Sequence, residues 1–112
     1  MRVLAVMRSC AFAHAAINVA AAREETKVNI RVGQALVKQC KERVRTNRSQ
    51  ETLRAVQAMY IQAGQTFEKS ANIYRVLMKN GNASQVDVDN CMKYVKFCID
   101  SVKEVQKHMV RR

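Results

Sequence analysis

The densest chemistry-bearing stretch of the 112-residue chain is a run of cations: Lys38, Lys41, Arg43, Arg45 and Arg48. Ammonium and guanidinium groups at that density suit a phosphate backbone or an anionic lipid surface, because neutralising a polyanion releases its condensed counterions. The same residues also suit the last turn and solvated face of a helix, where the helix dipole favours positive charge. No aromatic residue is interleaved with the run, so the pattern predicts backbone contact without base stacking. No helix-turn-helix, zinc-finger or RNP-type motif accompanies it.

Metal and catalytic chemistry find fewer candidates. Cys10 and His14 stand four residues apart, so on a helix both could touch one ion, with further ligands needed from Cys40 or His108 across the fold. The C-x-x-C-H of haem attachment is missing. Cys91 and Cys98 would lie about 10.5 Å apart along one helix, too far for a disulfide or a shared zinc within it. The four cysteines form no close-spaced framework and read as intracellular thiols. The chain has only two histidines and lacks a Gly-rich phosphate loop, a G-x-S-x-G and an H-E-x-x-H. The acid pairs Glu24/Glu25 and Asp87/Asp89 fall at helix starts, where carboxylates are expected. The expectation is a non-enzymatic chain with no cofactor, no metal and no small-molecule substrate.

The elements that would position these groups are written in the hydrophobic spacing. Leu53, Val56, Tyr60, Ala63, Phe67, Ser70, Tyr74 and Leu77 recur at steps of three and four, and so do Val88, Cys91, Val95, Cys98, Val102, Val105 and Met109. Such steps keep residues on one face of an α-helix, so each run is a stripe that needs a partner surface. Between residues 24 and 45, Ile30, Gly33, Val37, Cys40 and Val44 form a third stripe, widened by Val32 and Leu36. Lys27, Arg31, Gln34, Lys38, Lys41 and Arg45 line the other side. Proline is absent and glycine occurs three times. Nothing therefore forces the backbone out of helix for long stretches.

The boundaries are equally legible. Thr46 to Ser49 predicts a turn, with Asn47 or Ser49 capping the helix that follows. Asn80-Gly81 predicts a helix end in the left-handed conformation, and Ser84 with Asp87 predicts a capping box for the last helix, 85–110. Short connections make successive helices antiparallel neighbours. The fold class is all-α: an antiparallel up-and-down bundle of three to four long helices. Tyr60 and Tyr74 are expected to fill the core with their hydroxyls at the rim.

Residues 1–23 differ from the rest, and the chain divides into this segment and a helical bundle over 24–112. Arg2, Arg8 and Arg23 occur there without an acid, around an Ala-rich middle. An acid-free, Arg-bearing amphipathic helix resembles a mitochondrial presequence, and here it could be retained as a structural helix. The longest uncharged run, Ser9 to Ala22, is shorter than the ~20 residues that span a bilayer. Lys and Arg number 20 against 9 acids, for a net charge of +11, which favours polyanionic or acidic partners.

Ile73-Tyr74-Arg75, continued by Val76-Leu77-Met78-Lys79, resembles the Leu-Tyr-Arg tripeptide and apolar sequel of the LYR-motif proteins. Those are small basic three-helix mitochondrial assembly factors or accessory subunits, some of which contact acyl carrier protein. The resemblance covers about seven residues. It departs from the family in its leading Ile and in lying two-thirds along the chain, where the family places the motif in its first helix. Tyr74 and Leu77 already have a reading as core positions.

These features lead to the expectation of an accessory or structural subunit of a large multiprotein assembly in the mitochondrion, of the respiratory-chain or ATP-synthase kind. Its partners would be other protein subunits, with RNA or anionic lipid on the basic surface. One alternative is an RNA-binding or mitoribosome-associated helical protein that uses Lys38 to Arg48. Another is a small helical adaptor or assembly factor, cytoplasmic if not mitochondrial, whose stripes pair between chains.

Overall fold

A computed structural model of the chain describes residues 11–109, with side chains from residue 19 onward. Over these residues the fold is all-α: α1, Ala11–Thr46; α2, Gln50–Lys79; and α3, Gln85–His108. The bundle therefore has three helices. α1 crosses residues 23 and 24 without a break, so the helix on either side of them is continuous over the described part. Arg2, Arg8 and Cys10 lie outside the described residues, as does the side chain of His14.

Local chemistry sets the turns. Ser49 caps α2 by accepting a hydrogen bond from the Thr52 N–H at 3.1 Å, while Asn47 Oδ1 accepts from the Ser49 N–H at 2.8 Å. α2 ends in the two paired bonds of a Schellman turn: Gly81 N–H to Met78 O at 3.0 Å and Asn82 N–H to Leu77 O at 2.8 Å. Gly81 sits at φ 77°, which a residue without Cβ adopts at no steric cost. At the start of α3 the Asp87 carboxylate accepts from the Ser84 N–H at 3.0 Å. With connections this short, α2 runs antiparallel to both neighbours and packs against each along its length.

Two apolar layers hold the helices together. One contains Cys40, Leu53, Val56, Tyr60 and Val105, with Val37, Val44, Met59, Val102 and Met109 packed around it. The other contains Ala63, Phe67, Val95 and Cys98, with Ile30, Leu36, Val37 and Met92 around it. Leu77, Val88 and Cys91 are buried toward the α2–α3 turn. Burial of this kind stabilises by roughly 25 cal/mol per Å² of apolar surface removed from water, and the Val-rich helices depend on it more than on propensity.

The stripes read from the spacing face the core; on α1, Ile30, Leu36, Val37 and Val44 are half-buried rather than fully buried, and four further residues depart from the reading. Tyr74 is only half-buried. It lies one helical turn beyond Ser70, whose hydroxyl approaches the Thr26 carbonyl at 3.5 Å, so the residues across from it are the short Ala20–Ala22 of α1. Val102 and Met109 are half-buried at the margin of their layer. Val32, expected to widen the α1 stripe, is exposed, because α1 meets only one other helix over its full length and needs a narrower face. Thr26 and Ser70 are fully buried where α1 meets α2; the Thr26 hydroxyl donates to Arg23 O at 2.6 Å.

Candidate functional site

Phe67 of α2 points between α1 and α3 and is fully buried there. Gly33 of α1 covers one edge of its ring, and Tyr94 of α3 stacks on it at 4.6 Å between centroids with 14° between planes. The Tyr94 hydroxyl accepts a hydrogen bond from Gln34 Nε2 at 3.0 Å, which ties α3 to α1 across the top of Phe67. One turn on, Phe97 sets its edge against Tyr60 at 6.3 Å and 72°. Gln34, Val37, Lys41, Phe67, Lys93, Tyr94 and Phe97 line an open groove of about 340 Å³ between α1 and α3.

The groove exists because α2 holds the two outer helices while they meet each other chiefly through side chains. Tyr94 and Phe97 remain 37% and 39% exposed, so two rings sit with one surface packed and the other wet. Lys41 Nζ stands 5.1 Å from the centre of the Phe97 ring, a cation–π contact of about 0.5–1 kcal/mol at such exposure. Lys93 lines the groove from the α3 side.

The five cations of the Lys38–Arg48 run are all exposed, but they do not form one patch. At about 100° per residue, Lys38, Lys41 and Arg45 share the flank of α1 that borders the groove, while Arg43 turns to the opposite flank. Arg48 lies in the turn after α1. Arg45 is paired with Glu42 at 2.6 Å, and Arg31 on the same flank reaches Glu24 at 3.9 Å. Lys27, Lys38 and Lys93 have no ion pair among the described residues. The basic surface is thus a band along one side of α1, joined by Lys93 across the groove.

The Lys38–Arg48 run has no aromatic residue within it, but an aromatic ring from another helix lies beside it. Tyr94 and Phe97 are about 50 residues from that run along the chain, yet the fold carries both to the side of Lys41. Neither ring belongs to the α3 stripe; their sequence signal is that they are large aromatics placed off it, each directly after a lysine, Lys93 and Lys96.

The buried thiols point away from reactivity. Cys40 and Cys98 are almost completely shielded, and burial pushes the thiol of each up to about 11. Burial also raises Cys91. Cys40 Sγ donates a weak hydrogen bond to Val56 O at 3.7 Å. At neutral pH these sulfurs stay protonated, and a protonated thiol is neither a nucleophile nor a good metal ligand. Among the described residues no three His, Cys, Asp or Glu side chains gather as a metal site would require. Among the same residues no helix is long and apolar enough to cross a membrane.

Compared with known protein families, with characterised proteins and with solved structures, the chain matches none.

Proposed function

We propose that the chain is a non-enzymatic interaction subunit of a larger assembly and receives a protein partner in the α1–α3 groove. One observation carries this reading: the half-exposed rings of Tyr94 and Phe97 stand over a packed floor, bordered by Lys41 and Lys93. Rigid aromatics with one buried face are the anchors that dominate protein interfaces, because they bring large area at little conformational cost. The lysines at the border select partners with carboxylates there and speed their approach. A mitochondrial setting is part of the proposal and rests on the acid-free, Arg-bearing residues 1–23.

A second reading has its own support. Rings beside unpaired lysines are the combination that single-stranded nucleic acids use, with bases stacked and phosphates neutralised. RNA bound in this groove would weaken steeply with salt, whereas a packed protein interface would not.

The test is sedimentation of the endogenous protein from gently solubilised cells, with and without nuclease, beside cells carrying Phe97→Asp. Migration in a large particle that survives nuclease and is lost in the variant supports the protein-docking reading. Collapse on nuclease treatment replaces it with the RNA reading. A position near monomer or dimer in every lane overturns both. Residues 1–23 fused to a fluorescent reporter should carry it to mitochondria, and a diffuse cytosolic signal would overturn that placement.

A further inference from the structure

The α1–α3 groove continues one helical turn beyond Gln34. Ile30 and Asn90 line a further open space of about 460 Å³, which shares Lys93 and Tyr94 with the groove. The two spaces join into one trough that follows α1 from Ile30 to Lys41. At 1.5 Å per residue that is about 16.5 Å, or three helical turns. The hydrogen bond from Gln34 to Tyr94 crosses its floor above Phe67.

The walls decide what can lie in such a trough. Both are helices, whose backbone groups are paired within themselves, so the trough offers side chains and no free backbone donors or acceptors. An extended segment would find no strand edge to join there. A helix satisfies its own backbone and needs only a stripe of side chains to fill the trough. α1 and α3 each pack along α2 but meet each other chiefly through side chains, so their outer seam has the place of the fourth helix in a four-helix bundle. The charges are one-sided. Lys38 and Lys41 on the α1 wall and Lys93 on the α3 wall are all exposed, and no described residue lining either space is acidic.

We propose that the occupant of the trough is an amphipathic helix of the partner protein, with an apolar stripe about three turns long and carboxylates on both of its flanks. The inference rests on the reading of the α1–α3 groove as a protein-docking site and adds the shape and charge of what docks. The apolar stripe would cover Ile30 and the wet surfaces of Tyr94 and Phe97. Carboxylates on one flank would face Lys38 and Lys41, and those on the other would face Lys93. A helix acidic on one flank alone meets only one wall, and a basic amphipathic helix is repelled by both.

The experiment titrates the purified full chain into labelled peptides of about 18 residues, long enough to hold a helix, and reads anisotropy and circular dichroism. One peptide carries leucines at helical spacing with glutamates on both flanks. A second has lysines in place of those glutamates, and a third keeps the glutamates around a central proline. Wild type is compared with Lys41→Glu/Lys93→Glu and with Arg54→Glu/Lys103→Glu, which makes the same change in charge away from the trough. All four positions are exposed, and circular dichroism verifies each fold. The glutamate peptide should bind saturably, gain helicity, and bind about tenfold or more tighter than the other two. Lys41→Glu/Lys93→Glu should weaken it about tenfold and pass the preference to the lysine peptide, while Arg54→Glu/Lys103→Glu leaves it unchanged. No binding of the glutamate peptide, equal binding of all three, or an equal response to both double variants overturns the proposal. Displacement of the glutamate peptide by an equimolar oligouridylate overturns it in favour of RNA. Failure of the helix alone is distinguishable from failure of the groove. In the first case the Phe97→Asp protein still leaves the large particle; in the second the particle is indifferent to Phe97→Asp.

Discussion

The ring of Phe67 occupies the space that any side chain at residue 33 would need. A Cβ built on Gly33 would stand 2.6 Å from Phe67 Cζ and 2.8 and 2.9 Å from its Cε atoms, all within van der Waals radii. Gly33 is thus the socket that lets α1 close over the only fully buried aromatic ring among the described residues. The floor of the α1–α3 groove depends on it.

Gly33→Ala should consequently destabilise the fold, although alanine is the better helix former by up to ~1 kcal/mol. Overpacking against a ring held on two sides costs about 1–3 kcal/mol. Urea unfolding should show this loss, and Phe67→Leu in the same background should recover part of it by opening the socket. Undiminished stability in Gly33→Ala would show that Phe67 is not pinned there.

Val95→Asp should abolish cooperative unfolding. Val95 is 7% exposed in the layer with Phe67 and Cys98, so a carboxylate there would be buried without a partner. Circular dichroism and thermal melting check this; a variant that melts like wild type would mean that the α3 stripe is not the core face.

Two turn residues should act through different physics. Ser49→Ala removes the hydrogen bond to the Thr52 N–H and should cost about 1 kcal/mol, whereas Ser49→Asp should keep most of it. Gly81→Val forces a β-branched residue to φ 77° and should cost about 1–2 kcal/mol, with Gly81→Asn nearer to wild type. Equal stability of the Val and Asn variants would place the origin of the cost somewhere other than backbone conformation.

Stability should fall in alkali partly because of two thiols. Cys40 and Cys98 have their pKa raised by burial from 9.0 to about 11, so the folded state favours the protonated form. Their contribution is complete below the ordinary thiol pKa and is lost as pH rises from about 9 through 11. Urea midpoints measured over that range should decline less in Cys40→Ala/Cys98→Ala than in wild type. Parallel curves would assign the decline to other groups. In the native protein at pH 7.5, both thiols should also resist a disulfide reagent that labels them quickly in denaturant.

Much of the architecture is legible along the chain because helices are local objects. The spacing at Leu53–Phe67 and Val88–Val105 needs no distant information, since residues three and four apart share a face in any α-helix. Ser49, Gly81 and the Ser84–Asp87 pair act within a few residues of themselves, so the turns could be read as well. Tyr74 follows the same spacing and is still only half-buried. A stripe says which side turns inward, and what lies across from each residue comes from another helix.

What the sequence by itself determined, then, is an all-α chain, the inward faces of its helices, where α1 ends, where α2 begins and ends and where α3 begins, and a strongly basic composition. Only the tertiary structure decided which flank of each helix meets which neighbour. That choice stacks Tyr94 on Phe67 and sets Phe97 beside Lys41. The physical reason is range. A helical face is set by dihedral angles repeated every residue, whereas these meetings join groups up to 60 residues apart, as Gln34 and Tyr94 do. They are settled by how three rods share a common core, and Phe67 seated against Gly33 sets how closely α1 and α2 approach at that point.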